Sequence, residues 1–350
     1  LKTARAEAAA VPAKWTSSVE TAEPAQTVSR LLLTRFAGTS PTEPPVLQVA
    51  SALRTGLVSG VVFSPENVQS PEQVRALTRA FGEAAGDRPL IIAIAQSGGQ
   101  QPDLPQAKGF ASYASPKSVA ENQDPLDAQV FYEDMAAELS DLGFTLNFGP
   151  TAGGCSASAP WVQSCFSESS VRSAAYAAAF SFAHRSRQML AAMSYHTDTV
   201  VADVAGRGQA ANAAIALLRT VISRQRIPDA LLIAPDTQSL GTRDRPDFEG
   251  AVIADVSQVN AGTVQDAAIE ALKAGADLII LPAGHDSPLI DAASDAIRDA
   301  MAKGELPNAR IAEATGRANG LLGGLKRSPP LASQAVASAQ TTPAARKETR

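Results

Sequence analysis

The sequence predicts an α/β protein: a TIM-type (β/α)8 barrel, a single domain with disordered termini. Three observations lead there. Eight short apolar runs alternate with helical patterns along the chain, which is the signature of a parallel sheet. Most of these runs are continuously apolar rather than alternating, as strands buried on both faces must be. No G-x-G-x-x-G follows the first run, which argues against the doubly wound open sheet, the main competitor.

The runs are LLLTRFAG (31–38), SGVVFSP (59–65), PLIIAIAQ (89–96), FTLNFGP (144–150), MLAAMSYH (189–196), ALLIAPD (230–236), GAVIADV (250–256) and DLIILPA (277–283). The helices between them carry start and stop signals. Ser70-Pro71-Glu72-Gln73 combines an N-cap, a Pro at the first helical position and a capping-box Gln. DAQVFYEDMAAELSDLG and TVQDAAIEALKAGAD place Gly143 and Gly275 where a helix C-cap is wanted. Two connections are long, about 97–126 after the third run and about 151–168 after the fourth. Long βα loops cover a mouth or carry function, or they are surface insertions without a role. Residues 1–27 and 327–350, rich in Ala, Pro, Thr and Ser, show no sustained period and read as a flexible lead and tail around a barrel spanning 28–326.

The 350 residues are 45% hydrophobic and 19% charged, enough to bury a large core. A net charge of −5 argues against a nucleic-acid partner, which needs clustered Lys and Arg. No apolar run approaches the roughly 20 residues of a membrane span. The chain begins at Leu1 rather than Met, which leaves room for a removed leader. Cys155 and Cys165 lie in GGCSASAPWVQSC without further metal ligands nearby. A disulfide closing this loop would place the protein in an oxidising compartment, periplasmic or extracellular. Two free buried thiols are the alternative.

The seventh run delivers Asp255 at its carboxyl end, where barrel chemistry is placed. A capping role is the competing reading. The three histidines differ in promise. His184 sits inside a helical pattern (FSFAHRSR) and reads as a surface or packing residue. His196 ends the fifth run and is the best acid/base candidate, with Asp198 or Asp203 to orient it. His285, after the eighth run, points toward the mouth. Asp236 ends the sixth run, as a cap or a site residue. His196, Asp198, Asp203 and Asp255 lack the ligand-pair spacing of a metal site, so neither metal nor other cofactor is expected.

Several stretches resemble glycoside hydrolase family 3, in particular its single-domain bacterial β-N-acetylhexosaminidases, over roughly residues 28–325. SGVVFSPENVQSPEQVRALTRAF, including Asn67, resembles the family's second strand and helix. LIIAIAQSGG followed by GFASYASPKSVA is similar to its "IDQEGG…F…P", GFTLNFGPTAG to "GINxxFAPVxD", FEGAVIADVSQV to "FxGVxxSDDLxM", and AIEALKAGADLIILP to "AxxAGxDxxLxP". The resemblance implies retaining hydrolysis of amino-sugar glycosides, with Asp255 as nucleophile and Asp203 standing where the family's acid/base Asp would; His196, which stands for the second His of the family's "KHFPGHG", is the substitute acid/base. Gln96 keeps the Gln of "DQEGG" and, with Asp198 and His285, is a substrate-binding candidate. Other positions depart from the pattern. The family's sugar-binding Asp and Glu fall on Ala95 and Ser97, its "PVxD" Asp on Gly153, and its Arg near Ser164. Its Lys-His pair falls on Met193 and Ser194, and its acid/base His on Ala205. A pyranose is held by carboxylates and cations that hydrogen-bond its hydroxyls, and Ala, Ser, Gly and Met offer neither charge nor reach. The expectation is therefore a catalytically impaired glycan-binding or scaffold protein of the cell envelope, with an amino-sugar glycan or a protein as partner and a mouth short of charge. The alternative is an active β-N-acetylhexosaminidase using Asp255.

Overall fold

The computed structural model describes residues 28–99, 102–151, 155, 157, 161–195, 229–233, 250–257, 263–283 and 288–325. Eight parallel strands close into a barrel in sequence order: β1 (Leu32–Arg35), β2 (Gly60–Val62), β3 (Ile91–Ala95), β4 (Leu146–Thr151), β5 (Leu190–Tyr195), β6 (Ala230–Ile233), β7 (Ala251–Asp255) and β8 (Leu278–Leu281). Each falls within one of the apolar runs of the sequence, except that β4 runs one residue past its run, to Thr151. The ladders are shorter than the runs because closure pairs only the central residues, and the ends peel away into the connections. The ring shuts where Leu33 of β1 faces Ile280 of β8.

The described helices are α1 (Pro44–Thr55), α2 (Pro71–Ala85), α3 (Pro116–Asn122), α4 (Pro125–Asp141), α5 (Ser170–Ser186), α6 (Val264–Lys273), α7 (Pro288–Ala302) and α8 (Asn308–Leu325). Their starts follow local chemistry. Ser70 accepts from the Gln73 amide at 3.2 Å, as the sequence implies, but the Gln73 side chain reaches one residue further back than a capping box, to the Gln69 amide at 2.9 Å. Asp124 accepts from the amides of Leu126 and Asp127 to begin α4. Gly143 and Gly275 take the left-handed conformation just past α4 and α6, with φ of 90° and 109°.

One contiguous core fills the barrel and the layer beneath the helices. Phe63, Phe81, Phe36 and Phe144 meet edge to face on the β1–β4 side. On the α4–α5 side, Tyr132 and Phe180 do the same, with ring centroids 5.0 Å apart. Gly149 in β4 is required by this packing, because a Cβ there would lie 2.4 Å from the Phe180 ring. At the amino-terminal end, Asp277 is fully buried just before β8. It is held by Arg310 of α8 at 2.7 Å and by the Val252 amide at 2.9 Å, which fastens the last helix to the barrel floor. Among the described residues, no helix is long and apolar enough to cross a membrane.

Candidate functional site

The carboxyl ends of the strands converge on one side of the barrel, and Asp255 is the last residue of β7. Arg35 is the last residue of β1, and β8 lies between the two strands. Side chains leaving adjacent strand ends lean over the same opening, and here they meet. Arg35 Nη2 donates to Asp255 Oδ2 at 2.7 Å, Nη1 to Ser64 Oγ at 2.8 Å and Nε to Ser257 Oγ at 3.2 Å. The second carboxylate oxygen of Asp255 accepts from the Ser257 amide at 2.9 Å. Both oxygens of the expected nucleophile are thus engaged, one by a cation and one by the backbone.

Arg35 adds one cation to the mouth beside Asp255, a charge the sequence reading did not expect there. Arg35 sits in an apolar run with no motif around it and carries no functional signal of its own. A charge-assisted pair is the strong kind of hydrogen bond, although both side chains keep some solvent access, 26% for Arg35 and 19% for Asp255. Ser64 is held in turn by Asn67. The buried Asn67 side chain accepts from the Ser64 amide at 2.9 Å and donates to the carbonyls of Phe36 and Gly38, both at 3.0 Å. The residue singled out in the second-strand motif therefore shapes the loops around Arg35.

The positions where charge was expected to be missing behave as their residue types dictate. Ala95 is exposed at the end of β3. Met193 is buried, and Ser194 spends its hydroxyl on the Gly149 carbonyl at 3.3 Å. Ser164 lies in a short 3-10 turn (Val162–Ser164). Gln96 is buried, and its backbone is clasped by Asn147, whose side chain accepts from the Gln96 amide at 2.9 Å and donates to its carbonyl at 2.8 Å. The Gln96 side-chain amide meets no hydrogen-bond partner among the described residues. His184 is wholly buried beneath this pair, a packing residue rather than a surface one. Burial pushes its pKa down to about 4, against the Phe180 carbonyl contact that favours its charge.

His196, Asp198, Asp203, Gly153, Asp236 and His285 lie outside the described residues. Cys155 and Cys165 form a disulfide, their Cα atoms 6.1 Å apart, within the range the bond allows. It closes the loop after β4, where Thr151 bridges Cys165 and the Cys155 amide donates to the Ser167 carbonyl at 3.1 Å. Among the described residues, no group of three or more His, Cys, Asp or Glu side chains could hold a metal ion.

A second acid that sequence reasoning passed over is Asp103, in the long loop after β3. Burial pushes its pKa up to about 6, against the Ala95 amide and the Arg35 guanidinium, with Glu66 adding like charge.

The architecture matches solved structures of one class, barrels of glycoside hydrolase family 3. A β-N-acetylglucosaminidase of that family from Paenibacillus sp. superposes with a TM-score of 0.73 at 21% identity, covering 86% of this chain and 62% of that one. The β-N-acetylhexosaminidase from Beutenbergia cavernae gives 0.68 at 20% identity, over 86% of this chain and 99% of that one. In sequence, the chain is 37% identical over 99 residues to a β-hexosaminidase of Alkalilimnicola ehrlichii, covering 27% of this chain and 28% of that protein. It is 33% identical over 100 residues to β-hexosaminidase A of Pseudoalteromonas piscicida, 17% of that protein's length. These sequence matches thus span well under a third of either relative. No family model matches the sequence. The chain thus shares its barrel fold with these family 3 structures, and the two sequence relatives above are β-hexosaminidases.

Proposed function

We propose that the protein is a catalytically impaired relative of the β-N-acetylhexosaminidases, binding amino-sugar glycans of the cell envelope at the barrel mouth as a glycan-binding or scaffold protein. The Arg35–Asp255 pair carries this reading. A retaining glycosidase needs its nucleophile free to approach an anomeric carbon that gains positive charge in the transition state. Here a guanidinium occupies one oxygen of that carboxylate. At an effective dielectric of about 20, a cation about 4 Å from the developing charge opposes it by roughly 4 kcal/mol, on the order of a thousandfold in rate. Neutral Ala95, Ser97, Met193 and Ser194, at positions where the resembled family carries charge, favour the same conclusion. The disulfide supports an exported location.

The test pairs binding with turnover. A chitooligosaccharide is expected to bind by calorimetry, while neither it nor a muropeptide is hydrolysed. Turnover of a natural chitobiosyl or muropeptide substrate, lost in both Asp255→Asn and His196→Ala, would overturn the reading and establish an active hexosaminidase.

A further inference from the structure

We infer that the Cys155–Cys165 bridge is a redox-sensitive strap of the barrel mouth. It orders its own loop after β4 and, through Gln163, also α3, which belongs to the connection after β3. The inference stands whatever the mouth binds.

α3 cannot hold itself together. It is seven residues long (Pro116–Asn122), too short to be a stable helix without help from its neighbours. Its carboxyl end is fastened from α5: Tyr176 Oη donates to the Gln123 carbonyl at 2.6 Å, and Arg172 Nη2 to the Ala120 carbonyl at 2.5 Å. Its amino end leans on the loop after β4. Ser115 is the N-cap, and its Oγ accepts from the Ser118 amide at 3.2 Å. The same hydroxyl donates to Gln163 Oε1 at 3.2 Å, which leaves its lone pairs facing the helix. α3 also packs against the Val162–Ser164 turn that carries Gln163.

The bridge fixes that turn. Ser164 and Cys165 close it by donating to the carbonyls of Trp161 and Val162, at 2.8 and 3.3 Å. Cys165 follows directly and pairs with Thr151 at the end of β4. Across the bond, the Cys155 amide donates to the Ser167 carbonyl at 3.1 Å. Phe166 is buried against the rings of Tyr132 and Tyr176, so the segment after the turn has its own anchor in the core. Opening the bridge therefore frees the turn and the Gln163 contact rather than the barrel. The effect reaches the exit of β3, because the Gly99 amide donates to the Tyr113 carbonyl at 3.0 Å, two residues before the cap.

A dithiol is the reagent that opens it. Both cysteines are buried, so exchange proceeds when the loop opens locally. One thiolate of the dithiol attacks one sulfur of the bridge, and the other sulfur leaves and takes up a proton. The second thiol then displaces the first cysteine. The chain gains two electrons and two protons, and the dithiol becomes a cyclic disulfide.

The experiment is amide hydrogen exchange on the full chain, comparing oxidised wild type, wild type reduced with dithiothreitol, Gln163→Ala and Gln163→Glu. Reduction should speed exchange over residues 116–123 by roughly 10-fold or more and leave β3 unchanged. Gln163→Ala, with the bridge closed, should speed the same amides by roughly 2- to 30-fold, the range a helix cap commands. Gln163→Glu keeps the acceptor oxygen and should behave as wild type. Unchanged exchange over 116–123, either on reduction or in Gln163→Ala, would overturn the strap. If reduction loosens the strands as well, the Gln163→Ala result decides, because that variant leaves the bridge intact.

Discussion

Asn147 Nδ2 lies 2.9 Å from His184 Nε2, and the other ring nitrogen of His184 lies 2.8 Å from the Phe180 carbonyl. A carbonyl can only accept, so Nδ1 carries the proton and Nε2 receives the Asn147 amide. The imidazole is therefore neutral, packed against the Phe180 ring with centroids 4.0 Å apart and planes tilted by 34°. Through Asn147 it fixes the backbone of Gln96 at the end of β3.

Acid should break this arrangement. The pKa of His184 is about 4 in the folded protein against 6.5 when free, so between those values the unfolded chain binds more protons. Stability is then lost as pH falls from about 6.5 to about 4, by at most about 3 kcal/mol from this group. Asp103 has the opposite sign: its raised pKa makes the folded state the better proton binder between about 4 and 6. Urea unfolding of wild type and His184→Gln across pH 4–7.5 separates the two. The difference in stability between these proteins should shift in favour of His184→Gln as pH falls, and a pH-independent difference would contradict the assignment.

Opening the Cys155–Cys165 link should cost about 2–3 kcal/mol, from the loop of sequence separation 10 that it closes. Cys155→Ser is expected to lower the midpoint of chemical unfolding. In the wild type, titration of the unfolded, unreduced chain should find no reactive thiol. Two thiols per chain would mean that the bridge does not form.

Arg310→Met should be far more disruptive than its position away from the mouth suggests. It strips Asp277, with zero exposure, of its 2.7 Å partner, leaving Arg317 at 3.7 Å. Removing one side of a buried pair commonly costs about 3–5 kcal/mol. Chemical unfolding of the variant measures this directly, and a loss under about 1 kcal/mol would show that Arg317 moves in to compensate.

Aryl N-acetylglucosaminides probe the nucleophile alone, because their leaving group departs without protonation. Neither the wild type nor Arg35→Met should release the phenolate, since freeing Asp255 does not rebuild the groups that position a ring against it. Slow release by Arg35→Met, abolished by adding Asp255→Asn, would show that Arg35 was the main obstacle.

The barrel was legible in the sequence because a strand buried on both faces leaves a continuous apolar run that needs no knowledge of its neighbours. Asp255 was legible for a related reason: it ends such a run. Arg35 ends a strand too, but in the sequence it lies inside the run LLLTRFAG, where one cation carries no signature of its own. Its meaning comes from Asp255, 220 residues away, brought beside it by ring closure through β8. Asp103 was hidden differently. It lies in a Pro- and Gln-rich loop where residue type reveals nothing of burial, and its environment is set by Leu104 packing and by groups at three strand ends. His184 was placed correctly in a helix and read as a packing or surface residue, but no periodicity could show that Asn147 would meet it.

The β1–β8 seam also orders events in time. A ribosome releases β1 first and β8 last, so Arg35 waits through most of translation without the carboxylate it will bind. Without β8, no strand lies between β1 and β7 to hold Arg35 and Asp255 at their 2.7 Å separation. The charge pairing of the mouth therefore depends on the strand that is synthesised last, although that strand contributes neither of the two charges.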